Sequence, residues 1–183
     1  MRVVPVLLLA AALLALPASA TRLDPKALVL QQNDVPVRYV FDANESVPLP
    51  NAFFAVTPEL RAIVARTGQV TGYLAEYLNS DPPRWRYIQS MVGVFHRPDG
   101  ARLYLAWFDR SVRRREPKYL ERRAVSIGSA GWLYSAPSEP ATVVIWRQGR
   151  VFAMVTCSEM AGHQKFALAL ARKHAQRIAA ALR

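Results

Sequence analysis

The chain has one cysteine, Cys157, among its 183 residues. A lone thiol forms no internal disulfide, so in an oxidising compartment the fold must hold by packing alone. The paired Cys or Cys/His signatures of structural zinc sites are missing as well. Histidine occurs three times, and only 4 of the 24 basic residues are lysine. No Gly-rich phosphate loop, dinucleotide fingerprint or nucleophile elbow is present. After Leu16 no run is long and apolar enough to span a bilayer. These absences remove the usual sequence signatures of zinc, nucleotide and serine-hydrolase chemistry.

What is present begins with an export signal. Arg2, the apolar run Val3 to Leu16, Pro17 and Ala18-Ser19-Ala20 read as a secretory signal peptide with a small-residue cleavage site. Residues 1–20 are therefore expected to be removed, leaving 21–183 as a single domain of 163 residues, long enough to bury a core. An uncleaved anchor is the competing reading, disfavoured by the short run and the matching cleavage site. No Cys follows the run, so no lipid attachment is expected there, and the protein is expected to be secreted or extracytoplasmic. The formal charge is +11, or +10 without Arg2. Outside the cytoplasm that charge points to anionic lipid, cell-wall polymer or an acidic protein as partner, and not to nucleic acid. An arginine excess also arises from a high-GC genome without selection for binding.

The most informative stretch runs from Ala141 to Cys157. Thr142 to Trp146 and Val151 to Val155 are apolar runs joined by Arg147-Gln148-Gly149-Arg150, a hairpin pattern. A Gln148-Gly149 turn would set Trp146 opposite Val151 and Ile145 opposite Phe152. Neither strand alternates apolar with polar, so both faces should be covered. One face is expected to meet a helix around Trp107, the other a last helix through Phe166, Leu170 and Ile178.

The remaining elements follow from local signals. Asp24-Pro25 starts a short helix that stops before Val35-Pro36. Val37 to Phe41 suits a short peripheral strand, and Asp42 to Asn51 reads as a loop containing the sequon Asn44-Glu45-Ser46. Thr57-Pro58-Glu59 opens a helix that Gly68 closes. Gln69 to Leu78 and Arg84 to Phe95 form a second hairpin. Pro98-Asp99-Gly100, with Asp99 as cap, starts a helix with a wide apolar arc of Leu103, Tyr104, Leu105, Trp107, Phe108 and Val112. Val125 to Ile127 and Gly131 to Ala136 are short strand candidates. The last helix spans about His163 to Leu182 and places His174 inside its apolar face, where a hydrogen-bonded core histidine is expected.

Residues 110–123 are the most charged segment. Arg110, Arg113, Arg114, Arg115, Lys118, Arg122 and Arg123 outweigh Glu116 and Glu121, making the segment a candidate contact for an anionic surface. The bland reading is a solvated helix end and loop. Three constellations are candidates for chemistry: Cys157-Ser158-Glu159 with His163; His96 with Arg97 and Asp99; and Ser126 or Ser129 with a distant His and Asp. None forms a recognisable catalytic or metal pattern, and Cys157 has no adjacent basic residue to lower its pKa.

Gly68-Gln69-Val70-Thr71-Gly72-Tyr73 leading into a strand, and Val143 to Val151 followed by a helix with Ala171 and Gln176-Arg177-Ile178, resemble exported bacterial domains. With the order of elements, the chain resembles the PsbP/Mog1-like α+β sandwich group, which includes exported actinobacterial proteins. The resemblance implies protein or small-molecule binding more than catalysis and transfers no site residue. The expected fold is therefore α+β, an antiparallel sheet of six or seven strands covered by helices near 57–67, 99–114 and 163–182. The expected function is a non-enzymatic binding or interaction domain at the bacterial cell envelope. It would need no cofactor, and it would hold an apolar small molecule or a protein. The alternative is an exported hydrolase or thiol-dependent enzyme using Cys157, His163 or His96.

Overall fold

A computed structural model describes residues 23–49, 57–79, 86–115, 121–136, 139–158 and 163–183. The expected signal peptide lies outside the described residues, as do Lys118 and Glu159. In chain order the elements are α1 (Pro25–Leu28), a 3-10 turn (Gln32–Asp34), β1 (Val40–Leu49), α2 (Pro58–Thr67), β2 (Gln69–Asn79) and β3 (Arg86–Phe95). Then come α3 (Pro98–Arg115), β4 (Glu121–Ala124), β5 (Ala130–Ala136), β6 (Glu139–Gln148), β7 (Val151–Ser158) and α4 (His163–Ala181). The strands form one antiparallel seven-stranded sheet in the order β1-β2-β3-β7-β6-β5-β4. The architecture is α+β, as the pattern of elements implies.

The β6–β7 hairpin lies within this sheet and divides two cores. On one face Trp146, Val151, Ala153 and Val155 pack with Leu170, Ala171 and Ile178 of α4 and with the amino-terminal strap around Leu28 to Val35. On the other, Ile145, Phe152 and Met154 pack beneath Tyr104 and Leu105 of α3 and Ile63 of α2. Because successive strand residues point to opposite faces, uninterrupted apolar runs supply both layers. The turn differs from the expected one. Gln148 pairs with Val151 and Trp146 with Ala153, leaving Gly149-Arg150 as the two-residue turn. Gly149, at φ +54°, takes the left-handed conformation at the first turn position, where a side chain would be strained. The register moves by an even step, so every side chain keeps the face it was expected to occupy.

Three further expectations are corrected. The stretch 42–51, read as a loop, supplies most of β1 as far as Leu49. The turn-forming residues between Asp42 and Val47 are absorbed by a register shift against β2, and Pro48 is tolerated because β1 is an edge strand. Val125 to Ile127 is not a strand. Pairing instead precedes it, with Glu121–Ala124 on β5, while Ile127 is buried beside the Gly128 turn. Asp99 is not a cap but a first-turn residue, where its charge complements the helix dipole and pairs with Arg102 at 3.2 Å.

His174 enters the core as expected and is fully buried. Its Nδ1 lies 3.3 Å from Ser90 Oγ, which also accepts the Leu30 amide at 3.0 Å. The Tyr77 hydroxyl donates to the Leu30 carbonyl at 2.5 Å, and Arg177 of α4 donates to Asp34 at 2.6 Å. Ser90 therefore ties the amino-terminal strap to the same sheet position that α4 covers.

Candidate functional site

The functional candidate sits on the outer side of the α2–α3 layer. Thr57 caps α2 by accepting the Leu60 amide at 3.2 Å, Pro58 pre-sets the first turn, and buried Ile63 anchors the helix to the sheet. α3 is held by its aromatic arc: Tyr104 meets Phe152 edge-on at 4.9 Å and tilts over Phe95 at 5.4 Å. Two contacts make the helices antiparallel. A Cβ at Gly100 would stand 2.2 Å from the Thr67 carbonyl, so the start of α3 touches the end of α2 only because that residue is glycine. At the other end, Arg114 reaches Glu59 at 3.1 Å.

Between the helices lies a groove of about 350 Å³ lined by Glu59, Ala62, Ile63 and Arg66 of α2 and by Trp107, Arg110 and Arg114 of α3. These positions follow helical spacing, 59/62/63/66 on one helix and 107/110/114 on the other, so each set occupies one face. Three guanidinium groups thus converge with one carboxylate. Glu59 Oε1 accepts both the Trp107 indole N–H at 3.2 Å and Arg114 at 3.1 Å. The pair is well exposed, 62% and 66% for the two side chains; at such exposure an ion pair contributes about 0–1 kcal/mol. Arg114 can therefore exchange Glu59 for another anion at small cost. Arg66 and Arg110 are exposed and make no ion pair among the described residues.

A second charged cluster lies at the carboxyl-terminal half of α3, and its role is different. Asp109 is 7% exposed and accepts the Tyr134 hydroxyl, Arg122 through Nε at 2.8 Å and Nη2 at 3.2 Å, and Arg113 at 3.2 Å. The Arg122 guanidinium stacks 3.4 Å from the centre of the Trp132 ring. Burial would raise the Asp109 carboxyl, but the hydrogen bonds from Tyr134 and Arg122 prevail and hold it below the ordinary range. Burial, then the Asp109 hydrogen bond, push the Tyr134 phenol up. This cluster clamps α3 to the β4–β5 edge.

The candidate arginines therefore separate. Arg110 and Arg114 line the groove, Arg113 and Arg122 serve Asp109, and Arg123 lies 3.5 Å from Gln164 of α4. The Arg115 side chain falls outside the described residues. Two groove residues have other roles in the sequence reading, Glu59 as part of a helix start and Trp107 as part of an apolar arc, and Arg66 carries no local signal of a site. Residues 59, 62, 63 and 66 share a helical face by spacing, but the apposition of that face to α3 is set by tertiary packing.

The residues of the enzymatic alternative do not assemble. Cys157 is fully buried, and desolvation pushes its thiol up to about 12, so it packs as a small protonated hydrophobe. His163 Nδ1 lies 2.5 Å from Thr142 Oγ1 at the start of α4. His96 is exposed just past the end of β3, eight residues beyond Ile88, which pairs with Cys157. That separation is roughly 25 Å along the strand. Ser126 and Ser129 are exposed near the Gly128 turn. Among the described residues no cluster of His, Cys, Asp and Glu could hold a metal ion.

No family model matches the chain, and no curated protein matches it. Among solved structures it is similar to the extracellular domain of PknH from Mycobacterium tuberculosis, with a TM-score of 0.50 and 11% identity over 83% of this chain and 94% of that one. The likeness is one of fold. It lies with an actinobacterial extracellular domain, and nothing in these comparisons supports the PsbP/Mog1-like group. No helix among the described residues is long and apolar enough to cross a membrane.

Proposed function

We propose that this protein is an exported, non-enzymatic binding domain of the bacterial cell envelope and that its α2–α3 groove takes an anionic ligand. The observation that carries the reading is the charge arrangement: Arg66 and Arg110 make no ion pair among the described residues, and Arg114 is held by an exposed carboxylate it can exchange. Support for the setting comes from the export signal read in the sequence and from a fold shared with an extracellular domain. The wider basic surface, with Arg123, would raise the local concentration of anions and speed encounter.

The test follows the Trp107 indole N–H, identified with W107F, by nitrogen-15 NMR while inorganic pyrophosphate is added. A saturable shift is expected. In R66E/R110E the affinity should fall at least tenfold, whereas R102E, on the exposed flank of α3, should bind as the wild type does. No shift, or equal affinity in the double variant, would refute the reading. Arg113 is unsuitable for reversal because it serves Asp109 and its loss would disturb the fold.

A further inference from the structure

We infer that the groove recognises an acidic sugar, a pyranose carrying a carboxylate or phosphate, and does not bind simple anions indiscriminately. This rests on the anion-binding reading above and adds a ring to it. Three features argue for the ring. Trp107 lines the groove beside Ala62 and Ile63, giving an apolar wall next to the cationic one. Trp107 is only partly buried and is braced from behind, tilted against Tyr104 at 5.4 Å and edge-on to Phe108 at 6.4 Å. A rigid aromatic wall of this kind suits the C–H face of a sugar, because ordering it on binding costs little.

Glu59 supplies the third feature. A site for a bare phosphate or carboxylate gains nothing from a carboxylate in its wall, which repels the ligand. A sugar is different, because its hydroxyls donate. Glu59 Oε1 is occupied by Trp107 and Arg114, and no hydrogen bond to Oε2 is made among the described residues, leaving that oxygen to accept a hydroxyl. Arg66 and Arg110 would hold the acidic group, bidentate where geometry allows. A volume of about 350 Å³ lies at the small end of the range of ligand sites, suited to one or two sugar units.

The experiment compares glucuronate and glucose 1-phosphate with acetate, inorganic phosphate and methyl glucoside, using the Trp107 indole signal and calorimetry on the intact protein. Each acidic sugar is expected to bind at least tenfold tighter than the matching bare anion, with methyl glucoside weakest. W107A, read by calorimetry, should erase that advantage, so that each acidic sugar binds within twofold of its matching bare anion measured on the same variant. E59Q should move the two classes in opposite directions: phosphate tighter, because Arg114 is released, and the sugar advantage reduced at least threefold. Equal affinity for glucose 1-phosphate and phosphate would overturn the sugar assignment while leaving the anion site standing; failure of every anion would overturn both. If E59Q strengthened or weakened both classes alike, the hydroxyl-accepting role would be wrong. Hyaluronate fragments distinguish the sources of the same chemistry: binding to internal units identifies a polymer ligand, and binding restricted to monosaccharides identifies a free sugar acid or phosphate.

Discussion

Replacing Asp109 with alanine is expected to cost about 3 kcal/mol of stability, the scale seen when one partner of a buried ion pair is removed. The variant leaves the Tyr134 hydroxyl buried without its acceptor and Arg122 without the carboxylate that fixes it on Trp132. For a chain of this size the melting temperature should fall by about 6–12 °C. D109N keeps an acceptor for Tyr134 but loses the charge, so it should fall between wild type and D109A. Guanidinium unfolding followed by circular dichroism measures the loss, and a D109A variant within 1 kcal/mol of wild type would show that the clamp is not structural. The sign of the acid dependence follows. Asp109 titrates lower in the folded chain than in the unfolded one. Its contribution is therefore complete above the unfolded carboxyl pKa of about 3.9 and disappears as pH falls below it through the depressed folded value.

His174 should dominate a different pH window. Complete burial disfavours the imidazolium, with Arg177 adding to the effect and Asp34 opposing it, and the pKa drops from 6.5 to about 3. The unfolded chain takes up a proton below pH 6.5 while the folded chain stays neutral. Stability is therefore complete above pH 6.5 and is lost as pH falls toward 3, at about 1.4 kcal/mol per pH unit. Between pH 7 and pH 5 the loss should be about 2 kcal/mol, in a range where carboxylates such as Asp109 stay ionised. H174L removes the titrating group and leaves Ser90 Oγ bound to the Leu30 amide. Its unfolding free energy should be flatter than wild type by that 2 kcal/mol across the window. Parallel pH profiles for the two proteins would contradict the assignment. The imidazole Nε2 has no partner among the described residues, so H174L also removes a buried unsatisfied atom, which limits its cost at neutral pH.

Some features were legible along the chain because they rest on periodicity and local chemistry. The two apolar runs at 142–155 specify a strand pair covered on both faces, since only such a pair buries side chains of both parities. Thr57-Pro58-Glu59 specifies a helix start through its own capping bond. The failures fall where tertiary pairing outweighs local preference. Asn44 to Pro48 carries turn residues, yet it is drawn into β1 because β2 offers an unpaired edge and a bulge takes up the mismatch. Arg122 and Arg123, read as part of a solvated stretch, become strand residues paired with Tyr134 and Leu133 of β5, and Arg122 is fixed there by Trp132 and Asp109.

The sequence by itself determined the α+β class, both faces of the β6–β7 hairpin, the burial of His174 and the basic surplus, each a property of neighbours within a turn or a strand. Only the tertiary structure decided which of these cations are held by a buried carboxylate and which line the α2–α3 groove. Seven basic residues looked alike in the 110–123 run, but a buried carboxylate claims Arg113 and Arg122, whereas Arg110 and Arg114 face α2, where Glu59 and Arg66 meet them. The reason is physical. Whether a charge is free depends on what stands within about 4 Å of it, and across an interface between two helices that distance is set by packing and not by spacing along the chain.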